Sequence, residues 1–276
     1  MIFHFWETHK VLLNKNRMNN LKFILGLIIF FLIWTLISYS VGSSRFPNPL
    51  GVVRAFFSIV SSKGLREIGG ANAYGIITHL LYSLKQLGIG FLIGMFIGIG
   101  LALLMTSNNF AKILLTIPIE IARAIPPLAA IPFFIIWFGP GPYSQIGIMI
   151  FYTAVRMVIY TYEAINNVPS VYLSYAKTMG ATKGQIYRTI IMNDIIPELT
   201  GGLRTILPTS FGIQVVAEML GSSIGIGRVF ATLIMILAVD RVIATIVWVA
   251  IVANLLDYLV LKITRYITRW KAGFEN

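Results

Sequence analysis

The sequence predicts an all-α, polytopic membrane protein with six transmembrane helices and both termini in the cytoplasm. Three observations carry this. Of 276 residues, 57% are hydrophobic and only 12% are charged, about half the ~25% typical of soluble domains. Mean hydropathy is +0.81, so there are too few charges to hydrate the exterior of this much apolar mass. The charges also cluster, leaving uncharged stretches as long as the ~20 residues that cross a ~30 Å hydrocarbon core as helix. A cytosolic enzyme, a secreted domain and a disordered chain are excluded. The absence of cysteine excludes disulfides, thiolate metal sites and cysteine nucleophiles.

The first uncharged stretch, 23–44, lies between Lys22 and Arg45 and is too long for the ~7–15 apolar residues of a signal peptide, so it reads as an uncleaved anchor. After it, Pro47-Asn48-Pro49 and the apolar positions Val52, Val53, Phe56, Phe57 and Val60 predict a short amphipathic helix on the outer surface. The second span is 86–106, starting after Lys85. Gly88, Gly90, Gly94, Gly98 and Gly100 give it small residues at helical spacing, which allow close helix packing. A long uncharged tract then breaks at Gly139-Pro140-Gly141-Pro142, where a helix cannot continue, and so divides into spans 113–138 and 143–162. Pro126, Pro127 and Pro132 bend the former. Spans 202–220, bent at Pro208, and 242–261 complete the six. Residues 1–22 form a cytoplasmic segment, 23–265 the transmembrane domain and 266–276 a cytoplasmic tail.

Basic residues set the orientation. The net charge of +12 first suggests nucleic acid, but position assigns it to the cytoplasmic face. With the N-terminus inside, fourteen basic residues fall on cytoplasmic segments: Lys10, Lys15, Arg17, Lys22, Lys112, Arg123, Lys177, Lys183, Arg188, Arg204, Lys262, Arg265, Arg269 and Lys271. Seven fall outside: Arg45, Arg54, Lys63, Arg66, Lys85, Arg228 and Arg241. Arg156 alone lies within a span.

The segment 166–200 is too polar to cross the membrane and too patterned to be an idle linker. Pro169 suits a first helical turn, and Leu173, Ala176 and Met179 recur every third residue. Gly180 stands where a left-handed C-cap belongs. Thr182 and Gln185 then form a capping box opening a second helix, with Ile186, Ile190 and Ile191 along one side. Asp194 and Pro197 mark a further helix start. Three uses fit helix, glycine turn, helix: a surface element at the bilayer interface, a DNA-reading helix-turn-helix, or a docking knob for another protein. The DNA reading fails because spans tether the element on both sides.

The run Leu173-Ser174-Tyr175-Ala176-Lys177-Thr178-Met179-Gly180-Ala181-Thr182, with Pro197 beyond it, resembles the EAA loop of ABC-importer permeases. Other stretches match the inner-membrane subunits serving nitrate, sulfonate, taurine and related binding-protein-dependent importers. They are Arg123-Ala124-Ile125-Pro126-Pro127-Leu128 with Ile131-Pro132 and Trp137-Phe138-Gly139, then Gly201-Gly202-Leu203-Arg204, then Val216-Ala217-Glu218-Met219-Leu220 with Gly225-Ile226-Gly227. The resemblance covers about residues 20–270, in order. It implies a type I ABC-importer fold in a bacterial or archaeal cytoplasmic membrane. It also implies a second permease copy (a homodimer), cytoplasmic ATPase subunits and a periplasmic or lipid-anchored substrate-binding protein as partners, with no nucleic acid. The ATPase would meet Leu173, Ser174, Tyr175, Ala176, Lys177, Met179, Gly180, Ala181, Lys183 and Pro197. Ser174-Tyr175 replaces the family's Glu-Ala, so the usual acidic contact is missing. The solute would be a small oxyanion such as nitrate, a sulfonate or taurine.

No phosphate-binding G-x-x-x-x-G-K-[ST] occurs, so ATP hydrolysis is expected in a separate subunit, and the chain itself is expected to be non-catalytic, without cofactor or metal. His4, His9 and His79 read as interfacial. An ionisable group within a span has function as its default reading. Candidates for the path or its gate are Arg156, Pro126, Pro132, Gln214 and Glu218. Arg156 has three readings: its stem snorkels toward the cytoplasm, its guanidinium pairs with Glu163 about two turns on, or it draws in an anion. Glu218 has Arg228 as its expected ion-pair partner. An ATP-independent secondary transporter or channel is the main rival, and a membrane scaffold a further one. Coupled secondary transport needs midplane ionisable groups, and Arg156 is the single one offered.

Overall fold

The computed structural model describes the backbone of residues 2–60 and 75–268 and the side chains of 22–60 and 75–268. Lys63 and Arg66 of the first outer loop, the side chains of His4 and His9, and the tail basic residues Arg269 and Lys271 lie outside the described residues. Every regular element among those described is helical: α1 Ile2–Val41, α2 Pro49–Ser58, α3 Ile76–Ser107, α4 Asn109–Ala124, α5 Pro127–Phe138, α6 Pro142–Asn167, α7 Ser170–Thr178, α8 Lys183–Ile186, α9 Met192–Gly221, α10 Ile226–Met235 and α11 Val239–Ile267.

Four helices, α1 from Lys22 onward, α3, α6 and α11, are long and apolar enough to cross a membrane, and the count reaches six if each of two bent pairs forms one span. One pair is α4 with α5, meeting at 103°; the other is Lys183–Gly221 with α10, meeting at 56°. At ~1.5 Å per residue, α4 and α5 are each shorter than a ~30 Å core. The stretch expected as one bent span over 113–138 is therefore an elbow. Its break falls at Pro126-Pro127: proline lacks an N–H, and Ile125 and Pro126 are both extended. Pro132 stays inside α5.

Three helix limits differ from those read from charge. α3 begins at Ile76, ten residues before Gln86, and carries Lys85 on an exposed face. Asp194 and Pro197 do not restart a helix. Instead α8 runs through a π-helical turn, Tyr187–Ile191, into α9, which keeps both Pro197 and Pro208 in its interior. α1 is continuous from Ile2 to Val41.

α6 is the central helix, packing most extensively on α3 and also on α9 and α5. The glycine stripe explains the α3–α6 contact, with a division the sequence does not make. A Cβ on Gly94 would lie 2.7 Å from the Ile150 carbonyl oxygen, and one on Gly98 2.6 Å from that of Ala154, with Gly90 similarly crowded by Met149. Gly88 and Gly100 face open space. The short helix α2, placed correctly by its prolines, does not float at the interface. It buries Val52 and Ala55 and stacks Phe56 on Trp248 of α11, ring centroids 4.7 Å apart. α1 touches this body through Trp34 and Ser38, which donate to the Pro47 and Phe46 carbonyls, and otherwise exposes its apolar surface.

Gly98→Leu should force α3 off α6, at a cost above the ~1–3 kcal/mol usual for overpacking because backbone is the obstacle. Gly100→Leu should be nearly neutral. Thermal unfolding of both variants in mild detergent checks the contrast.

Candidate functional site

The candidate residues separate into three places. At the first, near the Gly221 end of α9, Glu218 is fully buried. Its Oε2 lies 2.8 Å from the Ser83 hydroxyl and accepts the Gly227 N–H at 3.0 Å, while its Oε1 accepts the Gln214 side-chain amide at 2.9 Å. The expected pairing with Arg228 does not form, because these three donors already occupy the carboxylate. The two neighbouring amides at the start of α10 are also taken by side chains: Ile226 donates to Ser83 Oγ at 3.0 Å and Gly225 to His79 Nδ1 at 3.1 Å. His79 is therefore buried rather than interfacial. Gly225 has φ +121°, and a Cβ there would overlap the Glu218 carboxyl group, which is why glycine stands at that position. A helix N-terminus favours a carboxylate, and this one is bonded to α3 and α9 at once.

The second place is a cavity of about 550 Å³ inside the α4–α5 elbow, against α6 and α9. Arg156 lines it, together with Arg123, Tyr152, Thr209 and Gly212. Ile125, Leu128, Phe151, Val155, Ile213 and Val216 make the rest of its wall mostly apolar. Arg156 does not pair with Glu163: seven residues along a helix separate them by roughly 10 Å, and the guanidinium lies over the Tyr160 ring, 5.4 Å from its centroid. Its Nε is buried with no hydrogen-bond partner. Pro127 touches the cavity, whereas Pro126, Pro132, Gln214 and Glu218 are not part of its wall. Arg123 was legible as an orientation charge and as the first residue of the proline run that resembles the family, not as part of a path. It pairs with Glu120 at 2.7 Å at the exposed end of α4, and the elbow turns it toward the same space as Arg156.

The third place is the helix–turn–helix element. α7 ends as expected at Gly180, whose φ of +80° suits glycine. The Gly180 N–H donates to the Lys177 carbonyl and the Ala181 N–H to that of Ala176, a complete Schellman motif. The Thr182–Gln185 capping box then opens α8. Ala176, Ile186 and Ile191 bury themselves against Met157, Ile165 and Ile195, fixing the element to α6 and α9. Tyr172, Tyr175 and Met179 stay exposed, and Lys177 and Lys183 are exposed as well. Pro197 lies beyond the element, within α9.

Solved structures share this architecture. The MetNI methionine ABC transporter in inward-facing form aligns with a TM-score of 0.60 at 19% identity, covering 70% of this chain and 96% of that one. A bacterial ABC transporter importing the acidic polysaccharide alginate aligns with a TM-score of 0.60 at 18% identity, covering 89% and 94%. At such identity the likeness establishes the fold, that of the transmembrane component of an ABC importer. The chain belongs to the family described as binding-protein-dependent transport system inner membrane component, whose model matches residues 90–269. Among its relatives, the taurine transport system permease protein TauC of Escherichia coli (strain K12) is 26% identical over 238 residues, covering 86% of this chain and 84% of that one. The nitrate import permease protein NrtB of Synechococcus elongatus (strain ATCC 33912 / PCC 7942 / FACHB-805) is 29% identical over 201 residues, covering 72% and 71%. The formylaminopyrimidine transport permease protein ThiX of Halalkalibacterium halodurans (strain ATCC BAA-125 / DSM 18197 / FERM 7344 / JCM 9153 / C-125) is 25% identical over 199 residues, covering 72% and 75%. The chain is thus a multi-pass inner-membrane permease of an ABC importer, a class that works with an ATPase and a substrate-binding protein.

Glu218→Ala should leave the buried Gly227 N–H without an acceptor, at ~1–3 kcal/mol, while the Ser83 hydroxyl keeps the His79 carbonyl at 3.0 Å and the Gln214 amide the Gln145 side-chain oxygen at 3.4 Å. Arg228→Ala should change stability by no more than about 0.5 kcal/mol. Unfolding midpoints of the two variants distinguish this arrangement from an ion pair.

Proposed function

We propose that this permease, as a homodimer with both termini cytoplasmic, carries a small organic oxyanion, best a short sulfonate, past the elbow cavity into the cell. The observation that carries this reading is Arg156. Its Nε–H is buried without an acceptor on the wall of a mostly apolar cavity that Arg123 also lines. A buried donor lacking a partner calls for an acceptor, and a guanidinium matches an oxyanion in geometry and charge. The apolar wall suits a solute with a carbon body better than bare nitrate. Relatives named for taurine and aliphatic sulfonates agree with that chemistry.

Energy would enter at α7. The chain lacks a phosphate cradle, so the ATPase is a separate subunit, and the exposed Tyr172, Tyr175 and Met179 form the face offered to it. In place of the family's acidic contact, Ser174-Tyr175 makes that face aromatic and neutral. Because α8 passes into α9 without a break in helix, movement of α7 reaches the cavity wall at Thr209 and Gly212 along one element. ATP-driven closure of the ATPases would thereby tilt α9 and switch the cavity between inward and outward openings.

Two substitutions test the reading in cells that also express the ATPase and the binding protein. Arg156→Gln should lower uptake of labelled taurine or a short alkanesulfonate at least about tenfold with membrane insertion intact, and Arg156→Lys should recover part of it. Undiminished uptake by the glutamine variant would sink the role of Arg156. Gly180→Asp should insert normally, because nothing crowds a Cβ there and aspartate tolerates left-handed backbone better than most residues. It should nevertheless lose ATP-driven uptake and copurification of the ATPase.

A further inference from the structure

A second cavity, of about 610 Å³, opens where α3 and α6 end, beside α7 and α8. Its wall has two chemistries. Ile165, Ile186 and Ile191 are buried and make an apolar floor. Lys112, Lys177 and Lys183, from three different helices, stand at its polar side with Ser107, Asn109 and Ser170. No Asp or Glu is among the described residues that line it, and none of the three lysines has a carboxylate within ion-pair distance among the described residues. Lys112 lies 5.7 Å from the Tyr162 ring centroid. Ser170 begins α7, a helix of nine residues with no side-chain cap, so its positive end adds to the lysines. The first cavity has no part in this one, since the two share no residue.

We propose that this pocket binds the headgroup of an anionic phospholipid of the cytoplasmic leaflet, with the upper part of an acyl chain on the apolar floor. The leaflet follows from the orientation proposed above; the ligand chemistry does not depend on the transported solute. Convergent lysines and an uncapped helix start supply what a phosphodiester needs, and a free phosphate would leave the apolar floor unused. Basic pockets between membrane helices on the cytoplasmic side are a recognised way of holding such headgroups. The site borders the element that meets the ATPase, so lipid bound there would brace α7 against α6.

Native mass spectrometry of the full-length chain in mild detergent, titrated with phosphatidylglycerol or phosphatidylcholine, tests this without any transport measurement. Phosphatidylglycerol should bind at least about tenfold more tightly. The Lys112→Gln/Lys177→Gln/Lys183→Gln variant should lose that preference, at roughly fivefold per lysine. Thr106→Trp, which fills the pocket and keeps the lysines, should abolish lipid binding while the thermal unfolding midpoint holds. Equal affinity for the two lipids, or an unchanged preference in both variants, would overturn the proposal. Displacement of phosphatidylglycerol by millimolar inorganic phosphate, lost in the triple variant, would overturn the lipid assignment in favour of a soluble phosphate. Failure here leaves sulfonate uptake untouched, so the two readings fall separately.

Discussion

Three consecutive amides at the start of α10 hold α3, α9 and α10 together. In a bilayer no water is available to satisfy the first N–H groups of a helix, so protein must do it. Gly225, Ile226 and Gly227 donate respectively to His79, Ser83 and Glu218. The acceptors come from α3 and α9, so satisfying one helix end joins three helices. This dictates the glycines, because only without a Cβ can that backbone approach the Glu218 side chain. It also keeps Glu218 out of the cavity wall.

The rest of the bundle follows from where rigidity ends. Glycines on α3 bring it into backbone contact with α6, and these two helices pack on each other more extensively than any other pair among the described residues. α9, by contrast, has a π-helical turn at its start and two internal prolines. Held near Gly221 by Glu218 and Gln214 and joined to α7 through α8, it runs from the helix–turn–helix element to the cavity wall. Bent helices with freed carbonyls need partners in protein or water, and Pro208 lies one residue from Thr209 on the cavity wall.

Local signals were legible in the sequence and distant partnerships were not. The Thr182–Gln185 box and Gly180 placed two helices and their turn, because capping is decided within a few residues. Lys85 is a poor boundary, because a helix can carry an exposed lysine on its face. Asp194 and Pro197 misled because they imitate a helix start, and only the π-helical turn before them shows that the helix is already under way. His79 and Ser83 gave no signal as partners of Gly225 and Ile226, more than half the chain away. Glu218 was legible as important, but its partners were fixed by packing and not by the nearest opposite charge.

The elbow is the last step that connects fold to path. A 103° break leaves carbonyls of the last turn of α4 without their usual donors, a condition lipid does not tolerate. The elbow must therefore be covered by protein or face an aqueous space. Here α6 and α9 cover one side and a cavity of about 550 Å³ takes the other. Arg156 becomes tolerable for the same reason, since a guanidinium inside a bundle needs an aromatic face, water or an anion. Tyr160 supplies the first, while the unpartnered Nε leaves room for one of the others. Pro126-Pro127 and Arg156 thus meet at one place: the prolines make the elbow that bounds the cavity, and Arg156 stands with Arg123 as a cation on its wall.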